Sequence, residues 1–565
     1  MRNHRTARFL PSVLIRVVIA TLIPVGLFAG ISAADTTPAV VAVPYALTAP
    51  TGIPGVAALP FTGVTSTAFT LPATMGNLVV TPDQGVTGTP MAITGSGLPA
   101  SSSIQLTWST DSATWLADVE PNTVNYMGTS YSKFTVNMVT VTTSATGTFS
   151  FKTTAPADFG GVHDIYAVQN GVALAHGGFE LLRILSVTPR SGPIGTPITI
   201  TYTSMGASLY TGGAEVLWDN HYTGEMQANW TRGTASVTIR AAGPIGTHFI
   251  QVGNAISFMY LNVIQSPIPY TNGGMIKFKV TKDNGPPKAF ITWPATLAPT
   301  DSQVTTMSTA GLDPASNAVA SLSVSRGPVD SPTTLTVTGL PTNGPATLVW
   351  STVVGNRVNC ASTCWSFSSV PLGSATVTNG SIDQKITVPD GLGGYHVVQV
   401  MDGSTIEAQV PFYVKESIVP FFNKAGHVIS MGLATANDSD TVTAIAAGQS
   451  GVGSHTFKDG QEFTISIKGV GWTQLDNTLG VDYDNSYIGY SCGFNSNGYM
   501  VVHLKAIGAP GTHLIDLYPM LYSLSPSFPS TPYGMVPMLS ANRDYPGLAL
   551  GYQVPSIHFA ITIVK

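Results

Sequence analysis

The chain has 565 residues, of which only 9% are charged, and its formal net charge is −5 at pH 7. Ordinary soluble domains carry about 25% charged residues. Nucleic-acid-binding proteins need a basic surface, so the acidic balance argues against nucleic acid as a partner. The abundance of Thr, Ser, Gly, Pro, Val and Ala is instead typical of extracellular β-proteins.

The first 34 residues have the pattern of an export signal. Four arginines lead into an apolar stretch at 17–30, and the small residues Ser32–Ala34 follow it. The apolar core is too short to cross a membrane comfortably, so we expect cleavage after Ala34. An uncleaved N-terminal anchor is the alternative. Cleavage would leave 20 basic and 29 acidic side chains, a net charge of −9, with no later stretch long enough to span a membrane.

The rest of the chain predicts strands. Short runs of alternating apolar and polar residues, such as "ITITYT" and "FTISIKG", lie between Gly, Pro, Asn and Asp. Runs of this length and spacing are typical of antiparallel sandwiches. We therefore predict an all-β fold of four tandem immunoglobulin-like antiparallel β-sandwich domains. The predicted segments are the signal peptide 1–34, an N-terminal linker or extension 35–75, domain 1 at 76–183, domain 2 at 184–283, a linker 284–317, domain 3 at 318–415, a linker 416–450 and domain 4 at 451–565.

Internal repetition supports that division. A histidine follows a Gly-containing turn in each domain: His163, His248, His396 and His513. A large ring ends a strand upstream of each histidine: Trp108, Trp218, Trp350 and Tyr483. Residues 218–248 match 483–513 without a gap at 11 of 31 positions, and 147–163 match 380–396 at 7 of 17. Domain 1 thus resembles domain 3 and domain 2 resembles domain 4, which indicates duplication of a two-domain unit.

The domains also open alike. "VTPDQGVTGTPMAITGSGLP" and "VTPRSGPIGTPITITYTSMG" each show a strand, a Pro/Gly turn and a Thr-rich strand. This opening resembles that of IPT/TIG-type and related bacterial immunoglobulin-like repeats. The resemblance implies two-sheet antiparallel sandwiches of about a hundred residues that act as spacers or adhesive modules outside the cell. It implies no catalytic residues.

The repeated histidines and rings could be ligands or catalysts, or they could be structural. A metal or catalytic site needs several groups that converge in one place, whereas equivalent positions in four domains should be spread along the molecule. We therefore predict a local role for each histidine, a hydrogen bond to a loop carbonyl at the start of a strand, and core packing for each ring. Asp219 and Asp484 precede asparagine, and they predict hairpin turns rather than calcium sites.

The three cysteines fit an exported protein. Cys360 and Cys364 are close enough in sequence to close a small loop by a disulfide, and Cys492 would then remain unpaired. No zinc-ligand spacing accompanies them. The sequence also lacks the common nucleophile-elbow, zinc-protease and phosphate-loop motifs, so we predict a non-enzymatic protein without cofactors.

The predicted function follows from the fold class and from the predicted export of the chain. Trp115, Tyr126 and Tyr131 lie in the long segment between the ring and the histidine of domain 1, and such loops commonly carry binding. We expect an exported structural or adhesive protein of the cell surface or extracellular matrix, whose partners are its own copies, other surface proteins or cell-wall polysaccharide. The alternative is a carbohydrate- or ligand-binding surface protein that uses these three aromatic residues.

Overall fold

A computed structural model provides the coordinates of the chain. It describes residues 45–53, 59, 61, 68–120, 123–253, 255–256, 258–259, 264, 275–294, 314–355, 365–418, 421–422, 428–429, 444–445, 455–522 and 535–565. The predicted signal peptide, Cys360 and Cys364 lie outside these ranges. Within them the chain is all-β apart from one short 3₁₀ helix. In this part of the chain no helix has the length and apolarity that crossing a membrane would require.

Module 1 contains two sheets that share an edge contact. Its strands are β1 (Tyr45–Ala46), β2 (Gly76–Thr81), β3 (Gln84–Gly85), β4 (Pro90–Gly95), β5 (Ser103–Glu120), β6 (Thr123–Thr142), β7 (Phe149–Thr154), β8 (Gly161–Gln169) and β9 (Val172–Leu181). One sheet has the order β2-β4-β7, and the other has β3-β9-β8-β5-β6. The β5–β6 hairpin is much longer than its neighbours, because both strands continue beyond the sandwich.

Module 2 repeats this plan. Its strands are β10 (Ile184–Thr188), β11 (Ser191–Gly192), β12 (Pro197–Thr203), β13 (Gly213–Trp218), β14 (His221–Gln227), β15 (Ala235–Arg240), β16 (Gly246–Gly253), β17 (Ala255–Ile256), β18 (Phe258–Met259) and β19 (Met275–Val280). The sheets are β10-β12-β15 and β11-β19-β16-β13-β14. Trp218 packs between them with Ile200 and Phe278, as expected for a large ring on a central strand.

Module 3 has the same two orders. A short strand, β20 (Phe290–Thr292), precedes it, and the module comprises β21 (Val319–Leu322), β22 (Arg326–Gly327), β23 (Pro332–Thr338), β24 (Gly344–Gly355), β25 (Trp365–Val377), β26 (Ser381–Thr387), β27 (Gly394–Asp402) and β28 (Thr405–Val414). Its sheets are β21-β23-β26 and β22-β28-β27-β24-β25. β20 lies in the segment predicted as a linker, yet it pairs with the last strand of the chain.

Module 4 closes the chain. Its elements are β29 (Ser417–Ile418), β30 (Phe421–Phe422), β31 (Val428–Ile429), β32 (Ala444–Ile445), β33 (His455–Lys458), β34 (Glu462–Lys468), β35 (Thr478–Tyr483), β36 (Ser486–Cys492), β37 (Met500–Lys505), β38 (Gly511–Tyr522), β39 (Met535–Pro537), the 3₁₀ helix η1 (Pro546–Leu550) and β40 (Ser556–Val564). The sheets are β29-β34-β37 and β20-β40-β38-β35-β36, and β33 also pairs with β40. β29 lies in the predicted linker 416–450 but belongs to this sandwich.

The recurring strand order defines the fold. In each module a three-stranded sheet faces a larger sheet, and the first segment contributes to both, as in immunoglobulin-like sandwiches. β12 shows why these residues form strands. Its sequence PITITYT alternates threonine toward solvent with Ile198, Ile200 and Tyr202 toward the core. The all-β immunoglobulin-like fold predicted from the sequence is therefore confirmed.

Each pair of modules is joined in the same way. The Gly160 N–H donates to the Met205 carbonyl at 2.8 Å, and the Gly393 N–H donates to the Val470 carbonyl at 2.8 Å. A Cβ atom on Gly160 would lie 1.8 Å from a carbonyl oxygen of module 2, and one on Gly393 would lie 1.7 Å from its counterpart in module 4. Only glycine permits this approach, so the repeated glycine brings the two backbones of each pair into contact.

A segment of module 4 contacts all the other modules. We call residues 535–555, between β38 and β40, the central segment. Its Asp544 accepts hydrogen bonds from Trp115 Nε1 of module 1 at 2.8 Å and from the Trp230 N–H of module 2 at 3.0 Å. Its Gln553 accepts from Arg326 of module 3 at 3.0 Å. The modules are thus held around a common segment, which a simple string of spacers would not provide.

Candidate functional site

The four repeated histidines have the same local geometry. In each, ring Nε2 lies 2.7–2.8 Å from the carbonyl oxygen four residues earlier. Each imidazole also packs on the repeated large ring of its own module. In every module the histidine thus connects a turn carbonyl to the large aromatic ring. Trp108, Trp218 and Trp350 are buried in their cores, whereas Tyr483 is only half-buried.

The second ring nitrogen separates the histidines into two classes. In modules 1 and 3, Nδ1 of His163 and of His396 lies 2.7 and 3.0 Å from a serine carbonyl. In modules 2 and 4, Nδ1 of His248 and of His513 lies 2.5 and 2.6 Å from an aspartate oxygen. Each of those aspartates also accepts a backbone N–H at 2.8 Å. Both nitrogens of each ring therefore face a polar group of the same module.

The environments of His396 and His513 shift their pKa values in opposite directions. Complete burial lowers the pKa of His396 to about 4, despite its hydrogen bonds to carbonyl groups. At neutral pH its ring carries one proton and donates to only one of the two carbonyls. Burial also acts against protonation of His513, but the hydrogen bond and the charge of Asp484 outweigh it and raise the pKa of that ring.

The Asp-Asn pairs form the hairpin turns that the sequence predicts. Asp219 and Asn220 connect β13 to β14 with φ angles of 51° and 67°, and Asp484 and Asn485 connect β35 to β36 with 49° and 63°. Two consecutive positive φ values are typical of the type I′ turn, which Asp and Asn tolerate well. This turn also aims each aspartate at its histidine.

Modules 2 and 4 face each other across a cleft of about 580 Å³. The equivalent turns of modules 2 and 4, residues 243–248 and 508–513, both contribute to its lining. Two of the four histidines therefore come together, although the sequence predicted that all four would be spread out. Apolar side chains dominate the walls, and Ile245 and Ile507 are exposed at them.

Three carboxylates line this cleft. Asp219 and Asp484 are engaged with their histidines, and Asp283 accepts hydrogen bonds from the Thr512 N–H at 2.8 Å and Oγ1 at 2.7 Å. Burial favours the neutral acid, but the hydrogen bonds from Thr512 and Gly285 outweigh it and lower the pKa of Asp283. An apolar cleft of this size with a few polar groups is typical of small-ligand sites.

The three aromatic residues predicted as a contact face do not form one. Trp115 is 0% exposed and Tyr126 is 5% exposed, because the tip of the β5–β6 hairpin is inserted against the central segment. The Tyr131 hydroxyl donates to Asn229 of module 2 at 2.9 Å. The prediction of an exposed site at Trp115 and Tyr126 is therefore wrong. The signal for burial was the alternation of Ala113, Trp115 and Ala117, which all face one side of a strand.

The sequence did not reveal a buried ionic group between modules 2 and 4. Arg240 of module 2 pairs with Asp516 of module 4 at 2.8 Å and donates to the Phe559 carbonyl at 2.7 Å. His558 Nδ1 lies 2.5 Å from the same carboxylate. Burial alone would raise the pKa of Asp516, but Arg240 and His558 hold it below its usual value. These groups are enclosed, which indicates a structural role.

In module 2, Glu215 and Glu225 lie directly opposite each other on β13 and β14 and are both buried. Burial raises the pKa of Glu225 to about 8 and that of Glu215 well above its usual range. Their counterparts in module 4 are Gly480 and Tyr490. Among the described residues no group of three or more His, Cys, Asp or Glu side chains could hold a metal ion.

No protein-family model and no curated protein matches the chain. Solved structures similar to it include invasin, described as a bacterial integrin-binding protein, at 11% identity over 86% of this chain and 79% of that one, with a TM-score of 0.17. FdeC, an Escherichia coli adhesin, matches at 13% identity over 62% and 99%, with a TM-score of 0.13. A fragment of the ICAM-5 ectodomain matches at 11% over 81% and 96%, with a TM-score of 0.16. Such values carry no argument about function, and the fold rests on the strand order itself.

Proposed function

We propose that the chain is an exported, non-catalytic structural or adhesive protein of the cell surface or extracellular matrix. In this proposal the four modules form one scaffold that associates with its own copies or holds other surface components. The observation that carries the proposal is the way the modules are joined: two glycine joints and one central segment bring all four into contact.

The repeated residues support a structural role. The histidines and rings that recur in all four modules are used in turns and cores, where they hold strands in place. The basic and apolar N-terminus has the pattern of an export signal. The module openings resemble IPT/TIG-type repeats, which suit a surface role.

Fractionation of the native cells together with immunogold electron microscopy tests this proposal. We expect the protein at the cell surface or in the surrounding matrix, in an ordered or clustered distribution. A chain that stays in the cytoplasmic fraction with its first 34 residues intact would contradict export. N-terminal sequencing of the recovered protein supplies the matched control, since a start at Asp35 identifies the exported form.

A second candidate function is the binding of a small ligand, such as a short saccharide, in the cleft between modules 2 and 4. The volume of about 580 Å³ and the mixed apolar and acidic walls favour it. Titration with an oligosaccharide panel, followed by calorimetry, provides the test. Ile245→Lys and Ile507→Lys place long side chains at the walls and should abolish binding, while Val162→Lys on exposed surface of module 1 should not. Binding unchanged by the cleft variants would exclude this site.

A further inference from the structure

The edge strands β14 and β36 are equivalent in the duplicated unit but differ in what covers them. In module 2 the central segment lies against β14: Glu225 pairs in parallel with Met538, and the Leu539 N–H donates to the Glu225 carbonyl at 2.8 Å. The Gln227 N–H donates to Ser540 Oγ at 3.0 Å. One edge of the duplicated unit is therefore completed by a strand-like segment of the same chain.

The counterpart in module 4 has no such cover in the described part of the chain. Among the described strands, β36 pairs only with β35 and forms the edge of its sheet. Ile488 is 52% exposed and Tyr490 is 54% exposed, while their counterparts Thr223 and Glu225 are 0% and 4% exposed. An uncovered edge presents unpaired backbone N–H and C=O groups that can add another strand.

The composition of β36 favours its own copy as the occupant. Its sequence, SYIGYSC, contains no charged residue and no proline. Proteins usually protect sheet edges with lysine, proline, inward charges or bulges. Of these, β36 has only a bulge, at Ile488, and β14 pairs with the central segment beyond an equivalent bulge at Thr223. Two copies that meet antiparallel would suffer no charge repulsion. A two-fold axis would bring the same exposed row of Ile488, Tyr490 and Cys492 from each chain together.

We propose that β36 is the self-association edge of this protein, where it pairs antiparallel with β36 of a second copy. The inference rests on the proposed function, because it assigns a surface to the self-association suggested there. A seven-residue edge is small, and its start already contacts β14 through the rings of Tyr487 and Tyr222. Interfaces below about 1,200 Å² are usually weak, so the dimer should form at micromolar or higher concentrations and should build larger assemblies only at a crowded surface.

Sedimentation velocity of the full exported chain over a range of concentrations provides the first test. We expect a monomer–dimer equilibrium that Ile488→Lys and Tyr490→Lys each weaken at least tenfold, because lysine at an edge repels its own copy. Val162→Lys, at an exposed site on β8, which is paired on both sides, is the matched control and should leave the dimer intact. If the two edge variants associate as the parent chain does, this edge is not the interface, although self-association elsewhere would stand.

A distance measurement tests the geometry independently of the variants. Cys492 is exposed and free, so it can carry a nitroxide label once Cys360 and Cys364 are replaced by serine. Strands rise about 3.3 Å per residue, and paired edges would place the two labelled positions within roughly 25 Å. Dipolar spectroscopy of the dimer should give one such distance. A dimer in which the labels are much farther apart overturns the pairing, and a strictly monomeric chain overturns both this inference and the self-association on which it rests.

Discussion

Modules 1 and 2 form one pair and modules 3 and 4 form another, and the two pairs share their joints but not their surroundings. Gly160 and Gly393 make the same backbone contact in each pair. By contrast, Glu225 of the first pair is buried under the central segment, while the equivalent Tyr490 of the second pair is exposed. Duplication thus preserved the contact inside each pair, whereas the contact between pairs made equivalent strands different.

The largest expected effect is a loss of stability when the glycine that joins the two modules of a pair is replaced. Gly393→Ala would place a Cβ atom 1.7 Å from a carbonyl oxygen, so the modules must separate or the backbone must shift. We expect a loss of about 3 kcal/mol in the free energy of unfolding, measured by denaturant titration, and a similar loss for Gly160→Ala. Gly178→Ala, where the nearest atom is 3.4 Å away, is the control. A small effect at Gly393 would mean that the joints are not tight.

The next largest effect is the pH dependence of stability that arises from Glu225, the buried acid of the first pair. The pKa of Glu225 is about 8 in the folded chain, above its unfolded value of 4.5. Its contribution to stability is thus fully present below pH 4.5 and is lost as pH rises toward 8. Each pKa unit between the folded and unfolded values corresponds to about 1.4 kcal/mol of stability. At pH 8.5 the Glu225→Gln variant should therefore be more stable than the parent chain by a few kcal/mol. Melting temperatures at pH 4.5 and 8.5 measure this.

The exposed Glu462→Gln is the matched control for Glu225→Gln. An equal decline in melting temperature between pH 4.5 and 8.5 for the parent chain and for Glu225→Gln would contradict the buried state of Glu225. Tyr490, its counterpart in the second pair, is not a carboxylic acid, so this contribution to the pH dependence belongs to the first pair alone.

The stability contributed by His396 and that contributed by His513 should respond to pH in opposite ways. The pKa of His396 is about 4, below its unfolded value of 6.5, so its contribution is present above pH 6.5 and is lost as pH falls toward 4. The pKa of His513 is raised, so its contribution is present below pH 6.5 and is lost as pH rises above it. His396→Gln should reduce the fall in the free energy of unfolding between pH 6.5 and pH 4, by up to about 3 kcal/mol at pH 4. His513→Gln should reduce its fall above pH 6.5. Identical profiles for the two variants would contradict the opposite pKa shifts of His396 and His513.

The smallest expected effect is the loss of stability when a hydrogen bond to the central segment is removed. Trp115→Phe removes the donor to Asp544 and leaves an aromatic ring in place. Loss of a partner for a buried carboxylate should cost about 1–3 kcal/mol. The effect is measured as a lower denaturation midpoint with an unchanged denaturant slope. Tyr490→Phe on the exposed edge is the control and should change stability by less than about 0.5 kcal/mol.

Most of the secondary structure could be predicted from the sequence, because strand alternation and turn chemistry are local. The Asp-Asn turns and the alternation in β12 are examples. The candidate site was less predictable. The sequence showed that His248 and His513 are equivalent, but their meeting at one cleft depends on how modules 2 and 4 pack. The exposure assigned to Trp115 failed for the same reason, since its partner Asp544 lies 429 residues away.

The sequence by itself determined the all-β class and the internal duplication, since both arise from patterns within a few residues or from direct repetition. Only the tertiary structure decided which equivalent residues are buried. Glu225 and Tyr490 occupy the same position in related strands, yet one is enclosed by the central segment and the other faces solvent. Which of these two equivalent positions is covered depends on long-range packing between modules, and the local sequences of β14 and β36 do not record it.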